Sequence, residues 1–380
     1  EYEGHMDGDD YVSGYTLLNN DIIAGNMPDI IVASDDMPLE SYVSKRLLAN
    51  IDDLMKNDEE ISQNEYLENV FEARRINGKL YHVIPSFNIM TFIGKKSILG
   101  KYENWNMESF QQALASMPEG TMGMGAVTRD SFLYQMMSYG GNDFVDVSSG
   151  KCNFDSPNFI NMLKYAATLP EQFDEEFYDD YYNHYESQYR EDKTLLMETY
   201  IYSLRDMNRN IKGYFGEDVS FVGFPTDDGK GSVIREDSSF VLSSKSANLD
   251  AAWDFVKYYL TEDYQKDLQW TLPTLKSAFD KQAADAVGKP FYLDENGNKI
   301  EYEDSFWING ESIELPPMTE EDVKQVTDFV LSVDKHYFYN DAVTNIINEE
   351  AAAFYAGQKT AEEVAKIIQN RVQVYVDEQR

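Results

Sequence analysis

The chain is 380 residues long, 42% apolar and 26% charged, a balance that supports a sizeable core and excludes disordered, collagenous and disulfide-scaffold chains. Asp and Glu number 68 against 32 Lys and Arg, so a net charge of −36 repels phosphate backbones and anionic membranes, and nucleic acid is not expected as a partner. The single cysteine, Cys152, excludes an internal disulfide, and no run of about 18 apolar residues offers a membrane span. The sequence opens on Glu1 without the charged and apolar regions of a leader, and a signal or upstream segment is expected to have been removed before it.

Short β-branched runs alternate with amphipathic periods, the pattern of an α/β sheet covered by helices. Strands are predicted at 29–33, 80–84, 90–93, 219–223 and 239–242, each ending near Pro, Gly, Ser or Asp, where binding loops open. The acidic, Tyr-rich stretch 171–190 reads as a solvated helical face, or alternatively its rings at 181, 182, 185 and 189 line a groove. From Asp250 toward Trp270, the apolar residues Ala252, Phe255, Val256, Tyr259 and Leu260 predict one helix. Asn296-Gly297, between 291–293 and 299–302, predicts a hairpin with a type I′ turn. Asp294, Asn296 and Asn298 imitate the start of a calcium loop, but Gly stands at the fourth position and no Glu at the twelfth. Three closing helices follow, capped by Thr319, by Asp341 and by Thr360 with Glu363. No repeat or long linker separates independent domains, so any lobes are intimately joined.

Motifs for chemistry are missing. There is no Gly-x-x-x-x-Gly-Lys-Ser/Thr, no Gly-x-Gly-x-x-Gly behind a strand, no His-Glu-x-x-His and no Gly-x-Ser-x-Gly, and the four His at 5, 82, 184 and 336 stand in unrelated contexts. No metal site or cofactor is expected. Carboxylate pairs such as Asp35-Asp36 or Glu59-Glu60 are too common in so acidic a chain to mark a glycosidase. Aromatic content is the distinctive feature: 27 Tyr, 21 Phe and 4 Trp combine flat apolar faces with polar handles, a mixture suited to sugars. For any single ring, filling the core is the plainer reading.

Four segments carry a resemblance. Residues 17–31 (LLNNDIIAGNMPDII), Ile76-Asn77-Gly78-Lys79-Leu80-Tyr81 with Pro85, Ala251-Ala252-Trp253-Asp254-Phe255 with Gln265, and 354–375 fall in order along nearly the whole chain. Together they resemble the bacterial extracellular solute-binding proteins, receptors of ABC sugar importers related to maltodextrin-binding protein. The resemblance implies a two-lobed periplasmic-binding-protein-like fold of class II type, α/β with a hinge and a mostly helical C-terminal part. Its lobes would be 1–87 with 236–318 and 88–235 with 319–380, closing over a ligand without making or breaking a bond. The family's first strand finds no convincing match in the polar, Gly-rich residues 1–15, and lobe 1 is expected to be truncated there.

Matching loop positions imply ligand contacts at Asp35, Asp36, Phe87, Asn88, Tyr134, Tyr200, Tyr202, Tyr337 and Tyr339. Asp36 and Asn88 would bond sugar hydroxyls, and Phe87, Tyr200, Tyr202 and Tyr339 would stack on ring faces. Trp270 either contacts ligand or packs under the hinge. The acidic rim favours a neutral, hydroxyl-rich ligand over a phosphorylated one. The implied partners are a carbohydrate and ABC permease subunits, with the chain monomeric and displayed outside the cell by a lipid or tether, or periplasmic in a Gram-negative host. A receptor of the same fold for a peptide, polyamine or organic ion stays open, as do a glycan-degrading enzyme and a structural surface module.

Overall fold

Residues 83–95 set the architecture. Among them Val, Ile, Phe and Met alternate with Ser86, Asn88 and Thr91, and the segment forms one thirteen-residue strand, Val83–Lys95, buried on both faces. The computed structural model describes residues 5–7, 10–12, 14–35, 37–146 and 149–379. Among them the central sheet has six strands, all paired antiparallel. Val83–Lys95 pairs with Val233–Leu242 and Leu272–Pro273 along its first part and with Met197–Ile201 and Val219–Phe221 along its second; Ile30–Val32 lies outside Val233–Leu242. Pro85 sits where the register shifts between Val83 and Ser86, as a residue without a ladder donor requires.

The two-residue period of this strand divides its side chains between apolar cores. Phe87, Ile89 and Ile93 enter one core with Ile51, Val70 and Leu272. Met90 and Phe92 enter another with Phe132, Tyr139, Phe224 and the last two helices, Asp341–Tyr355 and Ala361–Gln379. A smaller third core joins Leu18 and Ile22 of the helix Gly14–Ile23 to Ile31 and Val241. Ile211, Phe215 and Val219, with Val323, Val326 and Val330, pack into the first core, although the expected lobe division assigns those segments to the second lobe.

Several local expectations change. The predicted strand 90–93 and the end of the predicted strand 80–84 belong to one strand that starts at Val83, while 80–82 lie before it; Ser86, Phe87 and Ile89 between them find ladder partners. The helix expected from Asp250 stops at Leu249–Lys257 and gives way to a tight turn at Tyr258–Leu260 and a short helix Glu262–Gln265, whose start follows Thr261. Asn340 rather than Asp341 caps the helix Asp341–Tyr355, accepting from the Val343 amide at 3.1 Å. Thr319 and Thr360 cap as expected, each exchanging bonds with the residue three positions on.

The hairpin forms between Phe291–Leu293 and Lys299–Glu301, but not through a type I′ turn. The Gly297 amide donates to the Asp294 carbonyl at 2.9 Å, and only Gly297 takes a positive φ, at 80°. This is a three-residue connection with glycine in the left-handed position. The Asp294 carboxylate accepts from the Asn296 and Asn298 amides at 2.8 Å each, so its oxygens serve the turn. The strands His5–Asp7 and Asp10–Val12 pair only with each other among the described residues.

Gly231 permits a close approach of two backbone segments beside the sheet. The Phe224 amide donates to the Gly231 carbonyl at 2.7 Å, and a Cβ on Gly231 would collide with the Phe224 backbone. Gly231→Ala is expected to lower stability by about 1–3 kcal/mol, the usual cost of overpacking. An unchanged urea midpoint would contradict this approach of the two segments.

Candidate functional site

Three strands present one face where the first two cores meet. Cross-strand pairing aligns Arg235 with Asn88, and Met90 with Tyr200, while Glu198 stands opposite Phe92. Above this face lies a cavity of about 470 Å³. The helix Arg129–Phe144 contributes Tyr134, Gln135, Ser138 and Tyr139; the end of Ile30–Val32 leads to Ala33, Ser34 and Asp35; the segment before the last two helices brings Tyr337 and Tyr339. An adjoining cavity of about 370 Å³ shares Ser34, Asp35, Arg74, Tyr337 and Tyr339.

The cavity's cations are already paired. The Arg235 guanidinium meets the Asp35 carboxylate at 2.8 Å and lies over the Tyr337 ring at 5.1 Å from its centre. Arg74 pairs with Glu236. Burial pushes the Glu236 carboxyl above its ordinary value, and the Arg74 guanidinium only partly offsets this. Glu198 has no cation within ion-pair distance among the described residues; it is held by neutral donors, the Tyr139 hydroxyl at 2.6 Å and the Gln135 amide at 3.0 Å. Burial first, and then the Glu198 carboxylate, pushes the Tyr200 phenol up to about 12. The Tyr134 and Tyr337 hydroxyls share a hydrogen bond at 2.7 Å.

The arrangement joins exposed ring faces to a mixed set of donors and acceptors. The sequence profile of the bacterial extracellular solute-binding protein family matches residues 8–289. The chain belongs to that family. No curated protein matches the sequence. Solved structures share the fold of this solute-binding protein. The sugar-binding protein MalE from Xanthomonas citri is 12% identical with a TM-score of 0.59, covering 96% of this chain and 88% of that one. A solute-binding protein from Thermotoga lettingae bound with α-D-tagatose is 17% identical with a TM-score of 0.55, covering 95% and 88%. A substrate-binding protein from Listeria monocytogenes in complex with cycloalternan is 14% identical with a TM-score of 0.53, covering 96% and 88%. The solute-binding protein therefore has the two-lobed periplasmic-binding-protein-like fold of these relatives.

Of the residues expected at the site, Asp35, Tyr134, Tyr200, Tyr337 and Tyr339 line the larger cavity together. Asp36 lies outside the described residues. Phe87 does not reach the cavity: its side chain is 0% exposed in the first core, because strand alternation turns it to the face opposite Met90. Asn88 is buried beneath the cavity face with its Oδ1 unpartnered, and is not a lining residue. Tyr202 stands outside and backs Tyr200, ring centres 5.9 Å apart and nearly parallel at 7°. Trp270 is 77% exposed and lines neither cavity.

Sequence reasoning missed Glu198, Gln135, Arg74 and Arg235. Glu198 had a signal, since two residues before Tyr200 on a strand is the same face. Arg74 and Arg235 had none, because their places follow from which strands and turns pair across more than a hundred residues.

Beside the site, His82 is fully buried, with its Nε2 3.4 Å from an Arg74 nitrogen. Burial, and then the Arg74 charge, hold its imidazole well below the ordinary value. The unfolded chain binds that proton below about pH 6.5 while the folded chain does not, so stability is complete above that value and is lost as pH falls through it, by at most about 1.4 kcal/mol per unit. Glu236, with its raised value, contributes the opposite slope just above the ordinary carboxylate range. Urea midpoints are expected to fall between about pH 7.5 and about pH 5.5, and to fall less in His82→Gln. Identical slopes in the two proteins would contradict a neutral buried imidazole.

Proposed function

We propose that this solute-binding protein is a non-catalytic extracellular receptor that captures a carbohydrate, an oligosaccharide, between two closing lobes and delivers it to an ABC importer. The observation that carries the reading is the cavity itself, where the partly exposed rings of Tyr134 and Tyr200 stand beside the Asp35–Arg235 pair and Glu198. Ring faces of this kind stack on sugar C–H patches, and the charged groups take hydroxyls. A volume of about 470 Å³ lies within the usual range for a small-molecule site. Sugar-bound relatives of the same fold support the same ligand class.

The lobes follow the division 1–87 with 236–318 and 88–235 with 319–380, with 204–219 and 323–333 carried on the first core. The receptor acts as a monomer, held at the cell surface by a lipid or tether, or free in a periplasm. Asp35, Tyr134, Tyr200, Tyr337 and Tyr339 contact the ligand directly, and Tyr202 supports the Tyr200 ring.

A melting-temperature screen of mono- and oligosaccharides, short peptides and polyamines tests this reading. A sugar is expected to raise the melting temperature, by mass action on the folded state alone. Stabilisation by a peptide or polyamine and by no sugar would replace the ligand class, and release of reducing ends from the sugar would overturn the non-catalytic reading. Tyr200→Ala is expected to weaken sugar binding by about 1–3 kcal/mol with the fold intact, and Tyr202→Ala by less, as loss of a backing ring. Calorimetric titration showing unchanged affinity in Tyr200→Ala would refute its place in the site.

A further inference from the structure

We propose that the cavity selects its sugar by charge, accepting neutral and amine-bearing sugars and rejecting carboxylate-bearing ones, with Glu198 as the deciding group; the inference rests on the receptor reading above. The cavity leaves acceptors unsatisfied and its cations paired. Both guanidinium groups that line it are spent, Arg235 on Asp35 at 2.8 Å and Arg74 on Glu236. Two lining carboxylates remain without an ion-pair partner among the described residues, Glu198 and the exposed Asp237.

Glu198 is fixed from behind. The Tyr139 hydroxyl donates to one carboxylate oxygen at 2.6 Å and the Gln135 amide to the other at 3.0 Å, which leaves further lone pairs on both oxygens. Giving its amide nitrogen to Glu198 leaves the Gln135 Oε1 buried with no partner. Glu198 and Gln135, side by side in the wall, thus both ask for donors. A hydroxyl or an ammonium supplies them; a carboxylate supplies none and brings like charge to a site that already carries two uncompensated negative groups. Tyr200 adjoins Glu198 on the same strand face, so a ring stacked on Tyr200 presents its edge substituents to this pair of acceptors. A site built to receive donors rejects analogues that lack them more strongly than an apolar wall rejects a change of size.

The experiment is calorimetric titration of the full chain with D-glucose, D-glucosamine and D-glucuronate, with D-galactose, D-galactosamine and D-galacturonate, and with cellotriose and maltotriose as neutral references. In the series that binds, the amine is expected to match or exceed the neutral sugar, and the uronate to bind about tenfold or more weakly. Glu198→Gln keeps the side-chain length and removes the charge, and is expected to narrow the gap between uronate and neutral sugar by about threefold or more. Asp35→Asn, which frees the Arg235 guanidinium, is expected to narrow it as well and serves if Glu198→Gln does not fold. A uronate that binds as tightly as its neutral parent, or a ratio that neither variant moves, overturns the charge selection and leaves the receptor reading standing. No binding by any of these sugars, nor by any other saccharide in the melting-temperature screen, overturns both.

Discussion

The continuous strand Val83–Lys95 is the constraint from which the rest follows. Its two faces feed different cores, Phe87, Ile89 and Ile93 into one and Met90 and Phe92 into the other, so neither core is complete without it. A strand buried on both faces needs partners along both edges, and Val233–Leu242, Met197–Ile201, Val219–Phe221 and Leu272–Pro273 supply them. Those partners carry the site: Arg235 arrives on one and Glu198 with Tyr200 on another. Cavity-lining residues from separate parts of the chain, Met90, Tyr200 and Arg235, are brought together as a consequence of satisfying backbone groups in a single segment.

The electrostatics of the cavity follow from the same crowding. Arg74 and Arg235 are drawn into a partly buried region where an unpaired guanidinium would be costly, and each takes a carboxylate, Glu236 or Asp35. Asp35 comes from the loop after Ile30–Val32 and Arg235 from Val233–Leu242, so their pair ties the cavity's rim to the sheet. Tyr337 packs beneath Arg235 and bonds Tyr134, which links the segment before the last helices to the helix Arg129–Phe144. Rings and ion pairs hold the walls of the cavity, leaving the opposite side of Glu198 open to a ligand.

Much of this was legible from local pattern. Helix ends at Thr319 and Thr360 and the two-lobed family fold were readable because each rests on spacing within a few residues or on ordered motifs. The break near Thr261, the turn at Asp294 and the cap at Asn340 were misread, since neighbouring residues offered near-equal alternatives and tertiary packing chose between them. At the site, five of the expected residues line the cavity, each of them Asp or Tyr: Asp35, Tyr337 and Tyr339 from connecting segments, Tyr200 from a strand and Tyr134 from the helix Arg129–Phe144. Phe87 was misplaced because one residue of register on a strand exchanges core for cleft, and a single sequence does not reveal that register. Arg74 and Arg235 were invisible because only the assembled sheet makes them neighbours of Asp35 and Glu236.

The proposed receptor closes two lobes, joined through Val83–Lys95, over a sugar held at the face of Tyr200 and Arg235. Small-angle scattering of the full chain, without and with the saccharide that stabilises it most, tests this directly. A smaller radius of gyration in the sugar-bound state, reversed when the sugar is removed, is the result expected of hinged closure. Superimposable scattering curves at saturating sugar would contradict it.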